Sequence, residues 1–393
     1  MIGKMDYSKY GDFGYNIFGP FLYGFTKWLR ERILLNGDAK IFFFSRDGYI
    51  MQKAYMLFEG KKALGLKEEY VYFSRNSLRR CLLWKTNSYE ESLKYLSKER
   101  FTEFAELASY YGLEQDELMP LLDNVGLKWN DNLSFNGLAD NKSVKKIYDH
   151  FEDYIKQQSY AQYLTVVTYL KQIEMSGNCA IVDIGWHGTM QFYLEQLIEL
   201  SGIEARINGY YVGHHSYVPV KGKAEGFVYN QDNLKYKNQI RCFFGVGEKF
   251  FQSMDGSTDH YKALNGKIVP ELKPYEYSGD QTIKTCISIL HKGALNYVKE
   301  SILSGVSFAK NEDYFMPLLK FGKSPSYEQT QMFKFFYNTD GGKIYYIPQK
   351  SLSSYKPNEF FWALISSPWK TGFMKASFRF PFPYYWIYSL IKR

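Results

Sequence analysis

Cysteine is scarce. The 393-residue chain has four, Cys81, Cys179, Cys242 and Cys286, far apart, with no C-x-x-C pair and no histidine cluster beside them. That spacing argues against a disulfide framework and against a zinc site, and points to a reducing, cytoplasmic compartment. Long apolar runs are missing too: no uninterrupted stretch approaches the roughly eighteen residues needed to cross a bilayer. The opening MIGKMDYSKYGDFGYN lacks the apolar core of a secretory leader, so neither secretion nor a membrane-spanning helix is expected. No internal repeat or low-complexity linker divides the chain. Charge of one sign is in small excess, +8 overall, which favours anionic partners but does not choose among phosphorylated substrates, anionic lipid and nucleic acid.

Aromatic residues are abundant instead, with 36 Tyr and 31 Phe. Such a load fits thick apolar packing, sugar or base stacking, the membrane interface, or a compositionally biased genome with aromatic-rich cores. Hydrophobic residues at 45% and charged residues at 23% match an ordinary globular chain, so wholesale disorder is not expected. The length suggests two domains, or one domain with a large insertion.

Residues 17–35 place Phe21, Leu22, Phe25, Trp28 and Leu29 on one helical face, and Asn36-Gly37 supplies the stop. A strand is expected at 41–44, a helix at 51–58 and a second short strand at 70–73. Residues 87–127 have helical periodicity, Gly-Leu stops at 112 and 126, and no plausible strand, which predicts an all-helical insertion over about 84–143. A long helix at 144–175 leads to strand 179–184, helix 190–200 and strand 207–212. Beyond a soft boundary near Tyr217 the pattern loosens into a short strand at 227–229, a hairpin around Asn265-Gly266 and a helix at 281–303. The expected fold class is α/β: a parallel sheet with a helical insertion in residues 1–217, a mixed α+β region in 218–365, and an aromatic, basic tail in 366–393.

Three strands end in polar turns: Ser45-Arg46-Asp47-Gly48, Ser74-Arg75-Asn76-Ser77, and Asp183-Ile184-Gly185-Trp186-His187-Gly188-Thr189. In open α/β sheets ligands sit at the carboxyl ends of the strands, where helix N-termini present free N–H groups. Asp47 and Asp183 are candidate hard-oxygen ligands for Mg²⁺, Arg46 and Arg75 candidate phosphate partners, and Gly48 and Gly188 candidate backbone cradles. Each has a plainer role open to it. Asp47 and Ser45 can cap the next helix, Asp183 can be tied to neighbouring N–H groups, Arg75 can brace the fold, and His187, His214 and His215 can be structural.

The segments FFFSRDGYIMQK, VYFSRNSL and VDIGWHGTMQ resemble the haloacid dehalogenase superfamily. More narrowly they resemble a predicted-hydrolase branch associated with bacterial capsule and exopolysaccharide biosynthesis and with glycosyltransferases. The resemblance covers about residues 15–262, including GVGEKFFQSMDGSTDHY. It implies a Rossmann-like sheet with a cap insertion, Mg²⁺ as cofactor, and a phosphorylated or nucleotide-activated sugar as ligand. It aligns the superfamily's D-x-D-G-T turn with Ser45 to Tyr49. The position of the nucleophilic aspartate is then Ser45, and Asp47 matches the general acid/base. Ser74 matches the phosphate-binding Ser/Thr and Asp183 the metal-binding acid; Thr189 and His187 are further candidate ligand contacts read from the polar turn itself, not from the resemblance. The phosphate-neutralising lysine has no clear match, Lys171 being a candidate.

A serine without an adjacent base is a poor nucleophile at neutral pH, so the phosphoaspartate route looks closed. Three options remain: Asp47 as nucleophile in a shifted frame, transfer without a covalent enzyme intermediate, or an inactive core that steadies a partner glycosyltransferase. In the tail, Lys370, Lys375, Arg379, Lys392 and Arg393 alternate with nine aromatics and no acid. That composition fits a segment resting on an anionic membrane surface, or a strap packed across the core. No nucleic-acid-binding fold accompanies it, so nucleic acid is not an expected partner.

Overall fold

The structure is a computed structural model that describes residues 6–96, 101–339 and 343–391. Helix α1 (Ser8–Phe13) runs through a π-helical stretch, Gly14–Phe18, into α2 (Gly19–Asn36). The predicted stop holds: Gly37 is left-handed at φ 67° and its N–H closes onto Ile33 and Leu34. Strand β1 (Lys40–Phe44) leads into α3 (Gly48–Glu59), then β2 (Lys67–Val71) and the short α4 (Arg75–Arg79).

The insertion contains α5 (Tyr89–Ser92), β3 (Phe101–Glu103), α6 (Phe104–Tyr111), α7 (Gln115–Val125) and β4 (Asn132–Ser134). It is therefore not all-helical. Strands β3 and β4 pair antiparallel, Phe101 opposite Ser134 and Glu103 opposite Asn132; strands of three residues are too short to leave a period-2 signal in sequence. Residues 97–100 of the insertion lie outside the described residues.

The long helix α8 (Lys142–Gln172) returns the chain to β5 (Gly177–Trp186), α9 (Thr189–Ser201), β6 (Ala205–His214) and β7 (Ala224–Tyr229). Five strands form one parallel sheet in the order β2-β1-β5-β6-β7. Alternate side chains of β1 divide between two cores. Ile41 and Phe43, with Ala180 and Val182, face a cluster that contains α2 and α3 residues; Phe42 and Phe44, with Cys179 and Ile181, face one built with α8, α9 and the insertion. A strand covered on both faces can be apolar throughout, which is why KIFFF reads as an unbroken run. The edge strand β2 carries Lys67, Glu68 and Glu69 instead, charges that discourage further strand pairing.

The sheet continues across the boundary expected at Tyr217, because β7 is its fifth strand. The first core does the same, joining Phe21 and Phe25 of α2 to Ile287 and Leu290 of α12 (Gln281–Ser304) and to Phe315 and Leu319 of α13 (Asn311–Lys323). Between β7 and α12 lie α10 (Lys237–Arg241), α11 (Phe244–Phe251) and the hairpin of β8 (Thr258–Leu264) and β9 (Lys267–Leu272). The hairpin turns at Asn265-Gly266, as expected, with φ 51° and 75°. The chain continues through α14 (Tyr327–Met332), α15 (Pro357–Ser366), α16 (Lys370–Phe378) and α17 (Tyr384–Ile391). Among the described residues no helix is long and apolar enough to cross a membrane. All four cysteines are free thiols, and all are buried.

Candidate functional site

The strand order dictates where a ligand can sit. From β1 the chain moves outward to β2 on one side; after the insertion and α8 it restarts at β5 and moves outward through β6 and β7 on the other. The connections after β1 and β5 thus leave in opposite directions, opening a crevice at the carboxyl ends of these two neighbours. Asp47 follows β1, and Asp183 lies within β5, three residues before its carboxyl end, opposite Tyr211 of β6.

The three polar turns converge there. One cavity of about 230 Å³ is lined by Ser45, Arg46, Asp47, Ser74, Arg75, Asp183, Gly188 and Thr189, with Trp186, Tyr211, Glu248 and Ser257 completing its wall. The β5 turn is built from left-handed backbone: Gly185 at φ 94°, Trp186 at 81° and Gly188 at 67°. At Gly185 the requirement is steric as well, since a Cβ would lie 2.5 Å from the Tyr211 ring. A tryptophan at positive φ is unusual. Here its ring is clamped between Tyr229, stacked at 6.0 Å, and Phe244, edge-on at 3.9 Å. After this turn α9 begins with no side-chain cap, so its first N–H groups, bordering the cavity at Gly188 to Met190, remain available to an anion.

Both aspartates are shifted in the same direction. Asp47 precedes α3, but its side chain makes no capping bond. Burial raises its carboxyl above the usual range, Arg46 and Lys249 pull it down, and Glu276 pushes it up again. Burial likewise pushes Asp183 up, to about 7, and the charge of Asp47 adds to the rise; the backbone N–H groups of Ile184 and Gly185, and Arg75, oppose it. Two buried acids, one of which raises the other, favour either a retained proton or an added cation.

Lys249 was not singled out in the sequence. It comes from α11, is buried, and bonds Glu276 at 2.7 Å; Arg46 stands 3.9 Å from the same carboxylate. This network lies behind Asp47 and holds two cations near it. The segment GVGEKFFQSMDGSTDHY that supplies Glu248, Lys249 and Ser257 belongs to the sequence resemblance, yet nothing in its local pattern ties it to the turn at Asp47.

Several expected contacts fall elsewhere. The Ser74 hydroxyl accepts from Ser77 N at 3.0 Å in a capping box and donates to the Thr258 carbonyl at 2.6 Å, so its proton is already committed. His187 does not line the cavity: its Nδ1 meets the His215 carbonyl at 3.1 Å, and its ring stacks on Tyr217 at 4.3 Å. Gly48 packs its Cα against Phe43 and is absent from the lining. Lys171 is exposed in the last turn of α8, just before β5 starts, at the end of the sheet opposite the crevice. His214 is buried, with neither ring nitrogen hydrogen-bonded among the described residues.

Among the described residues no three His, Cys, Asp or Glu side chains gather as a ready-made metal cage. Mg²⁺ does not require one, since it commonly takes one or two carboxylates and completes its shell with water and substrate phosphate. The paired carboxylates of Asp47 and Asp183 fit that mode. No family model matches the chain, and no curated protein matches it in sequence.

Proposed function

We propose that this cavity binds the phosphoryl group of a sugar phosphate or nucleotide sugar together with Mg²⁺, and that the protein catalyses phosphoryl or glycosyl transfer in surface-polysaccharide assembly. The observation that carries the reading is the convergence of Asp47, Asp183 and the uncapped start of α9 on one 230 Å³ cavity. The polysaccharide setting is supported by the haloacid-dehalogenase-like turns alone. Asp47 and Asp183 would hold the cation, which when bound neutralises phosphoryl charge as it develops. The α9 N–H groups and Arg75 hold phosphoryl oxygens, while Arg46 and Lys249 set the charge around Asp47. With its affinity for a proton raised by burial, Asp47 takes the proton of the incoming hydroxyl and returns it to the departing oxygen. Ser45 does not act as nucleophile, because among the described residues its Oγ finds only the Phe73 carbonyl, at 3.4 Å, and no base. Transfer is therefore direct, relying on positioning and electrostatics.

The test is calorimetric titration of nucleotide sugars with and without Mg²⁺. Asp47→Asn and Asp183→Asn are expected to remove Mg²⁺-dependent binding and turnover. If both variants bind as the parent does, the core is instead an inactive module that steadies a partner glycosyltransferase.

A second reading concerns location. The tail divides in two. Trp369 is fully buried and Phe373, Met374, Tyr384 and Tyr388 are buried, so part of it is a strap. Yet Phe380 at 53% exposure and Trp386 at 58% face solvent, with Phe382 also exposed and Lys375 and Arg379 on the same segment, and Phe361 and Trp362 of α15, just before the tail, are exposed as well. Lys392 and Arg393 lie outside the described residues. Exposed aromatics among cations support peripheral contact with an anionic membrane, at the inner face of the cell membrane. Replacing Phe361, Trp362, Phe380 and Trp386 together by Ser should abolish sedimentation with phosphatidylserine vesicles; undiminished sedimentation rejects the contact.

A further inference from the structure

A second cavity, of about 600 Å³, adjoins the carboxylate cavity and shares Arg46, Ser74, Arg75 and Ser257 with it. Its far wall comes from the insertion, through Thr102, Glu106, Ser109 and Phe135. Arg79 also lines it, and Arg79 is the unusual residue: only 8% exposed, with its Nε buried without a hydrogen-bond partner. Among the described residues no ion pair joins its guanidinium to a carboxylate. What it has is the face of Tyr110, 4.7 Å away, which attracts the charge but satisfies no N–H.

Burial lowers the guanidinium's hold on its proton and Arg75 adds repulsion, while Tyr110, Tyr193 and Glu106 oppose the shift without cancelling it. Arg75 and Arg79 stand at i and i+4 on α4, a spacing at which like charges repel. Arg46 of this wall already stands 3.9 Å from Glu276, whereas Arg79 has no ion pair among the described residues. Four cationic side chains, Arg46, Arg75, Arg79 and Lys273, meet one lining acid, Glu106. Glu106 is exposed and is held by the Thr102 hydroxyl at 3.2 Å, while Lys273 already stands 3.5 Å from Asp259. A buried cation without a partner is costly. Placed in the wall of a cavity, it marks where an anion belongs.

We infer that this compartment binds a second anionic group, phosphoryl or carboxylate, of the same small molecule whose reacting phosphoryl lies between Asp47 and Asp183, with Arg79 as its principal contact. This rests on the reading of the carboxylate cavity given above. The substrate class is thereby narrowed to sugars with two anionic groups, such as a nucleoside diphosphate sugar, a sugar bisphosphate or an acidic sugar phosphate. The hydroxyls of Thr102 and Ser109 and the ring of Phe135 are suited to the neutral part between the two charges.

Titration of the full chain with hexose monophosphate, hexose bisphosphate, uronic acid phosphate and a uridine diphosphate hexose, each with Mg²⁺, decides the matter and identifies the second anion. At least one doubly anionic ligand should bind more than about tenfold tighter than the monophosphate, as expected for a charged hydrogen-bonded contact. Arg79→Met should erase that advantage and leave monophosphate binding unchanged. Equal affinity for all four ligands overturns the inference, as does an Arg79→Met loss that extends equally to the monophosphate. Thermal melting without ligand guards against misfolding. Arg79→Met should melt no lower than the parent, because methionine removes a buried unpaired charge, whereas a marked drop would make Arg79 a structural prop and also overturn the inference. Asp47→Asn separates the two proposals: if it leaves monophosphate binding intact, the phosphoryl reading of the first cavity fails, while the Arg79→Met comparison still decides the second.

Discussion

Replacing Asp183 by asparagine should make the protein more stable at alkaline pH, and the size of the gain follows from the site. Asp183 holds its proton up to about pH 7 in the folded chain, against an ordinary value of 3.8. Between those values the native state keeps a proton that the unfolded chain releases, so stability falls as pH rises, and the full penalty stands above pH 7. At about 1.4 kcal/mol per pH unit the gap sets a ceiling on the order of 4 kcal/mol, reduced in practice because solvent reaches the half-buried cleft. For 393 residues an unfolding entropy of about 2.1 cal/mol/K per residue converts that ceiling into a melting shift of about 5 °C.

His214 and His291 act in the opposite sense. Burial pushes both down to about 4, so they cost stability as pH falls below about 6.5. The informative quantity is therefore the difference between parent and Asp183→Asn melting curves, measured by calorimetry from pH 5 to pH 8.5. It should stand at roughly a third of the ceiling at pH 5, because the unfolded carboxyl has already released its proton there, and grow through pH 7 in favour of the variant. Saturating Mg²⁺ should narrow it by stabilising only the parent, by about 3 kcal/mol at a hundredfold excess over Kd. A difference that is flat with pH, or a parent that is the more stable at pH 8.5 without Mg²⁺, would refute the reasoning.

Other perturbations probe the scaffold. Lys249→Met strands the buried Glu276 carboxylate and should cost about 3 kcal/mol in urea unfolding, the low end for a broken buried pair because Arg46 remains 3.9 Å away. Adding Glu276→Gln should recover most of the loss. Gly185→Ala combines a left-handed backbone with a collision at Tyr211 and should cost more than about 2 kcal/mol and weaken ligand binding. Gly37→Ala, equally left-handed but with open space around it, should cost only about 1 kcal/mol and leave binding unchanged. Trp369→Ala should lose about 3 to 5 kcal/mol on thermal or urea unfolding, whereas the exposed Trp386→Ser should change stability by less than about 0.5 kcal/mol.

Local chemistry made much of this molecule legible in one dimension. The apolar run of β1, the Asn36-Gly37 stop and the Asn265-Gly266 hairpin each follow from the preferences of a few neighbouring residues, and each stands where those preferences put it. The polar turns were visible for the same reason: Asp47, Ser74 and Asp183 interrupt apolar strands, and polar groups there need a purpose. Convergence of the three was not visible, because it depends on β1 pairing with β5 across more than a hundred residues. Nor was the division of labour among the polar groups. Ser74 spends its hydroxyl on a cap and on Thr258, and His187 turns to Tyr217, because partners distant in sequence came within reach. Lys249 and Arg79 were silent for the opposite reason. A lysine among aromatics or an arginine in a basic stretch looks like surface until packing buries it, and only burial turns an ordinary charge into one that demands a counterion.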